Sequence, residues 1–212
     1  LADTLKPPEF SNEPPFRVEF SNSTGTKIPC TANGSLPINI TWILADGNPV
    51  FNVNQLRHVT VKETLVFPPF EAKDYRQDMH AVTYKCIANN AAGTVISREV
   101  HVQAVMDQPF EPHVYDAFAT KGSTAAIKCI ISGTVSKYVI VDTWIKDNQQ
   151  EIKTFFFDDK KYTITKTGDL LISNVDSADA GRGYKCVAKH RLTGQVKTSE
   201  TAGKLFVTES EG

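Results

Sequence analysis

Apolar and polar residues alternate along much of this chain. Ile28, Cys30 and Ala32 share one side of an extended segment, as do Ala125, Ile127, Cys129 and Ile131. The same holds for Tyr84, Cys86 and Ala88, and for Tyr184, Cys186 and Ala188. A period of two predicts half-buried β-strands. Further strands are expected over 38–43, 65–67, 94–105, 139–145, 169–172 and 196–208, separated by turn residues such as Asp46-Gly47-Asn48-Pro49 and Thr167-Gly168. No sustained helical period competes, and short strands at this spacing predict an all-β sandwich.

The pattern occurs twice. Cys30 and Cys86 lie 56 residues apart, Cys129 and Cys186 lie 57 apart, and each interval holds one of the two tryptophans. Trp42 follows Cys30 by 12 residues and Trp144 follows Cys129 by 15. Both second cysteines sit in one local string, Tyr84-Lys85-Cys86-Ile87-Ala88 and Tyr184-Lys185-Cys186-Val187-Ala188. Such self-similarity marks two tandem homologous units, residues 1–104 and 105–212. Residues 97–105 run almost straight into the next strand without a Gly/Ser-rich tether, so the joint is expected to be short and stiff.

Composition narrows the function. The 212 residues carry 23 basic and 24 acidic side chains, a net charge of -1, which supplies no long-range positive field for nucleic acid or an anionic membrane. No stretch approaches the ~20 apolar residues that span a bilayer, and Leu1-Ala2-Asp3-Thr4 lacks a signal-peptide layout. The chain is therefore expected to be soluble throughout or a processed piece of something larger. None of the four cysteines forms a Cys-x-x-Cys pair, and their gaps favour disulfides over zinc.

Candidate chemistry is sparse. His58, His80, His101, His113 and His190 show no metal spacing, and no nucleophile elbow, phosphate loop or calcium loop is present. No catalytic, cofactor or metal site is expected, and the chain reads as a binding module, not an enzyme. Asp158-Asp159 reads as a polar hairpin tip. Phe155-Phe156-Phe157 is the most apolar run near a turn and is expected to pack within its own domain or against its neighbour. Lys189-His190-Arg191, leading to Leu192-Thr193-Gly194, reads as a solvated turn.

The order Cys, Trp, Tyr-x-Cys, present in both units, resembles the immunoglobulin superfamily. The resemblance implies two tandem immunoglobulin-like β-sandwiches of the I-set. It also implies that Cys30 pairs with Cys86 and Cys129 with Cys186, that a tryptophan packs on each bridge, and that a tyrosine closes each sheet corner. Each bridge closes a loop of nearly 60 residues and contributes roughly 2–4 kcal/mol. The corner motif Asp-x-Gly-x-Tyr-x-Cys is altered in both units: Asp179 to Tyr184 carries one extra residue, and ten positions separate Asp74 from Tyr84. Each unit opens on a proline-broken strand, with Pro14-Pro15 in the first and Pro109 and Pro112 in the second, as suits an edge strand that switches sheets. Core disulfides point to an extracellular setting. Three sequons agree, at Asn22, Asn33 and Asn39, and N-glycans are expected there. Ile38, Ile40 and Trp42 face inward by alternation, which turns Asn39 outward.

Several strings are more specific: Phe20-Ser21-Asn22-Ser23-Thr24-Gly25, Leu65-Val66-Phe67-Pro68-Pro69-Phe70 leading to Asp74-Tyr75-Arg76-Gln77, Val100-His101-Val102, and Lys189-His190-Arg191-Leu192-Thr193-Gly194. Together they resemble the first two immunoglobulin domains of the arthropod Down syndrome cell adhesion molecule (Dscam) family. That resemblance implies the extracellular part of a single-pass neuronal or immune receptor that recognises identical copies of itself on an apposed cell. It also implies that the first edge strand of the second domain pairs antiparallel with its own copy. The matching stretch is Glu111, Pro112, His113, Val114, Tyr115, Asp116, Ala117 and Phe118. In a two-fold antiparallel pair Asp116 is a poor centre, because two carboxylates would face one another. Centring on Val114 sets His113 against Tyr115 and Pro112 against Asp116; the less favourable alternative, centring on Tyr115, gives an aromatic self-pair with Val114 against Asp116. The alternative function is a heterophilic ectodomain that binds a secreted ligand or a foreign surface.

Overall fold

The structure, a computed structural model, describes residues 4–153 and 161–210. Phe155, Phe156, Phe157, Asp158 and Asp159 lie outside the described residues. The chain divides into two compact units, Leu1–Asp107 and Gln108–Gly212.

Unit 1 runs β1 (Glu9–Asn12), β2 (Arg17–Ser21), β3 (Thr26–Ile28), β4 (Thr31–Asn33), β5 (Asn39–Leu44), β6 (His58–Val59) and β7 (Leu65–Phe67). A 3-10 turn (Ala72–Asp74) and the single helical turn α1 (Gln77–His80) lead to β8 (Thr83–Asn90), β9 (Gly93–Ile96) and β10 (Val100–Val105). One sheet has the order β2-β10-β8-β5 with β9 on β8; another has β3-β7-β6, and β1 pairs with β4. Unit 2 repeats the plan with β11 (Glu111–Val114), β12 (Ala117–Thr120), β13 (Ala125–Ile127), β14 (Cys129–Ser132), β15 (Val139–Lys146) and β16 (Gln150–Lys153). It continues with β17 (Tyr162–Ile164), β18 (Leu170–Ile172), β19 (Gly183–His190), β20 (Val196–Thr198) and β21 (Gly203–Thr208). Its sheets are β12-β21-β19-β15-β16, with β20 on β19, then β13-β18-β17, and the pair β11-β14. Both units are all-β sandwiches, as the alternation predicts.

Disulfides Cys30–Cys86 and Cys129–Cys186 tie each pair of sheets together, with Cα atoms 6.6 and 6.1 Å apart. Trp42 and Trp144 are buried in the same clusters, and their indole nitrogens donate to the carbonyls of Glu63 and Gly168, each at 2.9 Å. The core thus buries a large ring without stranding its one donor.

Residues 94–105 and 196–208 each form two strands instead of one. Ser97 and Ser199 make the break, and both are buried. The Ser97 amide donates to the Cys86 carbonyl at 2.8 Å, and the Cys86 amide donates to the Ser97 hydroxyl at 2.9 Å. Ser199 and Cys186 repeat this at 3.0 and 3.2 Å. A side-chain oxygen substitutes for a ladder acceptor, so the chain can shift sideways without leaving a buried amide unpaired.

The two corners differ. The Tyr84 hydroxyl donates to the Met79 carbonyl at 2.7 Å and accepts from Arg57 Nη1 at 3.1 Å, a closed corner. Tyr184 is equally buried, but its hydroxyl meets no backbone carbonyl, in keeping with the extra residue before it. The long segment of unit 1 wraps around His80, which is fully buried with its ring stacked on Phe70 at 4.1 Å. His80 Nδ1 accepts from the Arg76 amide at 3.0 Å. Nor is His190 part of a solvated turn: it is fully buried, stacked on Tyr138, and its Nδ1 accepts from the amides of Leu192 and Thr193. The imidazole folds inward because it satisfies two turn amides that would otherwise lose water.

Burial, reinforced by the positive charges of Arg76 and Arg57 and only partly opposed by Asp78, holds the His80 pKa down to about 4 from 6.5. The unfolded chain therefore takes up this proton first as pH falls. Stability that is fully present above pH 6.5 is expected to be lost progressively toward pH 4, by about 3 kcal/mol. Urea denaturation of unit 1 between pH 7 and pH 4, read beside His80→Gln, checks this; an equal slope in the variant would assign the loss to other groups.

Candidate functional site

The stretch 111–118 is not one strand. β11 pairs antiparallel with β14, with Glu111 opposite Ser132 and Val114 opposite Cys129. β12 belongs to the other sheet and pairs parallel with β21, with Ala117 opposite Leu205 and Phe118 opposite Phe206. Between them the chain crosses from one sheet to the other at Tyr115 and Asp116. Asp116 Oδ1 accepts from the Lys204 amide at 2.8 Å and fastens the crossing to β21. Gly203 makes room for it, since a Cβ there would run into Val114 Cγ1 and reach the Tyr115 carbonyl at 2.7 Å. Among the described residues β11 and β12 each have a strand partner on one side only, so both are edges.

This geometry corrects the expected role of Val114. Its side chain is 6% exposed and belongs to the core cluster with Trp144 and Cys186, so it faces its own domain and offers no side chain to a partner. Pro112 is buried likewise. The outward residues are Glu111, His113, Tyr115, Asp116 and Phe118. Glu111 is paired with Lys197 Nζ at 2.7 Å, and His113 Nε2 lies 3.3 Å from Ser132 Oγ. Tyr115 is 64% exposed and Phe118 75%. Ala117 and Ala119 flank Phe118 and are half-buried.

One outward residue escapes the sequence pattern. Phe206, 43% exposed on β21, stacks on Phe118 with ring centroids 5.2 Å apart. They are 88 positions apart in the chain, and only the β12–β21 register brings them together. Alternation of Leu205, Phe206 and Val207 does mark Phe206 as the odd apolar residue on the polar side, beside Lys204 and Thr208.

The corresponding edge of unit 1 is differently finished. Pro14-Pro15 separate β1 from β2, and Glu13 grips Arg98 through both its amide, at 2.7 Å, and Nη2, at 3.0 Å. Of the three sequon asparagines, Asn33 and Asn39 are exposed. Asn22 is half-buried, its Nδ2 donating to the Phe70 carbonyl at 2.9 Å and its Oδ1 accepting from the Asp107 amide at 2.6 Å. Among the described residues no group of His, Cys, Asp and Glu is arranged to hold a metal ion. The unit 2 edge thus combines strands open on one side with outward aromatic rings.

Comparison with known proteins bears on this surface. The immunoglobulin domain model matches residues 116–199. The cell adhesion molecule Dscam1 of Drosophila melanogaster is 43% identical over 204 residues, which is 96% of this chain and 10% of that protein. Dscam2 of the same species is 39% identical, covering 92% of this chain and 9% of the relative, and human DSCAM is 35% identical, covering 94% and 10%. The chain thus spans about a tenth of the length of these relatives. Among solved structures, the N-terminal four immunoglobulin domains of Dscam1 isoform 7.44 superpose with a TM-score of 0.89 at 41% identity, over 99% of this chain and 54% of that one. A structure described as the basis for Dscam isoform specificity matches with a TM-score of 0.76 at 43% identity, over 96% of this chain and 53% of that one.

The crossing at Tyr115 has a direct test. Gly203→Ala is expected to push β11 away from β21 and to cost unit 2 about 1–3 kcal/mol, as overpacking at a filled site does. Urea denaturation beside wild type measures it, and an unchanged midpoint would mean that the crossing can yield.

Proposed function

This chain is homologous along almost its whole length to the Dscam cell adhesion molecules, and from that premise we propose that it is a self-recognition module of a cell-surface receptor. It acts extracellularly, binds and does not catalyse, and pairs with an identical copy on an apposed cell through the open edge of unit 2 formed by β11 and β12.

The observation that carries this reading is the unfinished edge itself. Exposed strand edges invite pairing with another chain, and proteins commonly blunt them with proline, charge or cover. Unit 1 carries such devices at Pro14-Pro15 and at the Glu13–Arg98 pair, and β11 of unit 2 carries Pro112 and the Glu111–Lys197 pair, which leaves β12 as the edge without them. In unit 2 the carboxylates of Glu111 and Asp116 are engaged within the domain, and aromatic rings face out beside the edge. Main-chain bonds across such a pair supply affinity, and the facing side chains supply discrimination.

N-glycans at Asn33 and Asn39 form part of the proposal. Both asparagines stand where a sugar can extend into solvent, whereas the amide nitrogen of Asn22 is committed to Phe70. Sugar on unit 1 leaves the protein surface of unit 2 bare for its partner. Peptide mapping of protein secreted from glycosylating cells is expected to find sugar at Asn33 and Asn39 and none at Asn22.

Self-pairing is tested by sedimentation equilibrium of the two-unit chain beside Phe118→Asn, which creates an Asn-Ala-Thr sequon with Ala119 and Thr120 and plants a glycan on the edge. Wild type is expected to dimerise with concentration and the glycosylated variant to remain monomeric while folded. A wild type that is monomeric at every concentration would overturn self-pairing by these two units and favour a heterophilic partner.

A further inference from the structure

The outer face of the β3-β7-β6 sheet in unit 1 takes no part in the self-recognition reading, and it holds an open groove of about 630 Å³. Lys27 on β3 lies opposite Val66 on β7, and His58 on β6 lies opposite the same Val66 from the other side. Opposed residues of an antiparallel pair project from one face, so these three form a row across the sheet. Val66 is only 7% exposed and forms the floor, while Lys27 and His58 are exposed beside it. Val61, Pro68 and Pro69 add apolar lining, and Lys62 stands next to Val61.

Two features of this groove serve nothing within the domain. The first is Val61, fully exposed at the tip of the β6–β7 hairpin, where turns ordinarily carry polar residues. The tip is well held. The Thr60 amide donates to the Thr64 carbonyl at 2.9 Å, the Glu63 amide donates to the Thr60 carbonyl at 2.8 Å, and the Glu63 carbonyl accepts from the Trp42 indole. A fixed turn therefore presents an apolar side chain to solvent. The second feature is charge. Lys27 and Lys62 line the groove, and among the described residues no carboxylate lines it and neither lysine has an ion pair. Glu63, the one acid of the hairpin, turns its Oε1 to the Ile40 amide at 3.4 Å.

We propose that this groove binds an extended acidic segment of another protein, with an apolar side chain over Val66 and a carboxylate on either side of it. Alternate residues of an extended chain share a face, so the fitting pattern is acid-x-apolar-x-acid, with its two acids rooted about 13 Å apart. Lys27 and His58 stand two strand spacings apart, about 10 Å, and the long lysine stem covers the difference. The lysines meet the carboxylates as opposite charges, and His58 offers a ring N–H to one of them. Because the hairpin tip is fixed beforehand, little backbone freedom is lost on binding. A sulfated polysaccharide fits less well, since two lysines are few for its charge and the apolar floor would be left without a match. The site lies in unit 1 and does not depend on self-pairing through unit 2.

The test titrates the two-unit chain with the capped peptide Glu-Thr-Leu-Thr-Glu and follows backbone amide shifts by NMR. Shifts are expected at Lys27, Val61, Lys62 and Val66, and binding is expected to weaken as salt is raised. Lys27→Glu combined with Lys62→Glu is expected to weaken binding about tenfold and Val61→Ser about fivefold, with circular dichroism confirming that each variant is folded. No shift, shifts that fall outside the groove, or equal binding of a peptide with glutamine in place of both glutamates would overturn the proposal. A heparin-derived oligosaccharide that binds the same residues more tightly than the peptide would overturn it in favour of a sulfated glycan.

Discussion

The Cys129–Cys186 bridge sets the distance between the two sheets of unit 2, and much else in that unit follows from it. With Cα atoms held 6.1 Å apart, the space beside the bridge must be filled, and Trp144, Leu170, Ile172 and Leu205 fill it. The first strand divides between the two sheets. Val114 enters the core from β11, Asp116 is held by the amide of Lys204, and β12 continues on the opposite sheet. The edge surface is therefore a by-product of core geometry: one end of the strand is used for packing and the other is left outside. Small sandwiches need covalent help because their cores are thin, and the same help fixes the register of everything attached to them.

The sequence displays the frame of this fold openly and its edges poorly, for a physical reason. A period of two says that a segment has two faces, and the paired Cys, Trp and Tyr say which face is inside near the bridge. The inward faces of β8 and β19, Tyr84, Cys86 and Ala88 in one and Tyr184, Cys186 and Ala188 in the other, are thus legible. At the margins the signal weakens, because the inside face is decided by a partner strand far along the chain. Val114 lies in a run that alternates well, yet only the pairing with Cys129 and the gap at Gly203 reveal that it faces the core. Phe206 is invisible as a partner of Phe118 for the same reason. The serine breaks at Ser97 and Ser199 are hidden because a hydroxyl that replaces a ladder acceptor leaves the apolar pattern almost undisturbed.

His80 and His190 illustrate a second limit. Histidine is read as polar when it sits among turn residues, but a turn that brings bare amides together rewards an inward imidazole acceptor. In unit 1 the ring also takes the space left by the long corner, between Phe70 and Tyr75, and its neutral form suits that setting. Burial there carries an electrostatic cost on protonation that a polar surface residue does not have. Two frames of one plan therefore differ at their corners and edges, where local requirements and not the bridge decide the outcome.

That difference bears on how a repeated fold can expose one open edge. Both units inherit an opening strand with a free side, so restraint at the first matters as much as attraction at the second. Proline and a charged clasp at unit 1 discourage backbone pairing without disturbing its core. In the self-pairing proposed for unit 2, a two-fold contact would impose its own selection. A residue on the axis would meet only itself and could not be charged without repulsion. Residues off the axis would meet a different residue of the same sequence, so the facing residues would have to be complementary within one chain. A copy that differs at one such position would break the match at two symmetry-related places with its own kind unless the facing residue changes too.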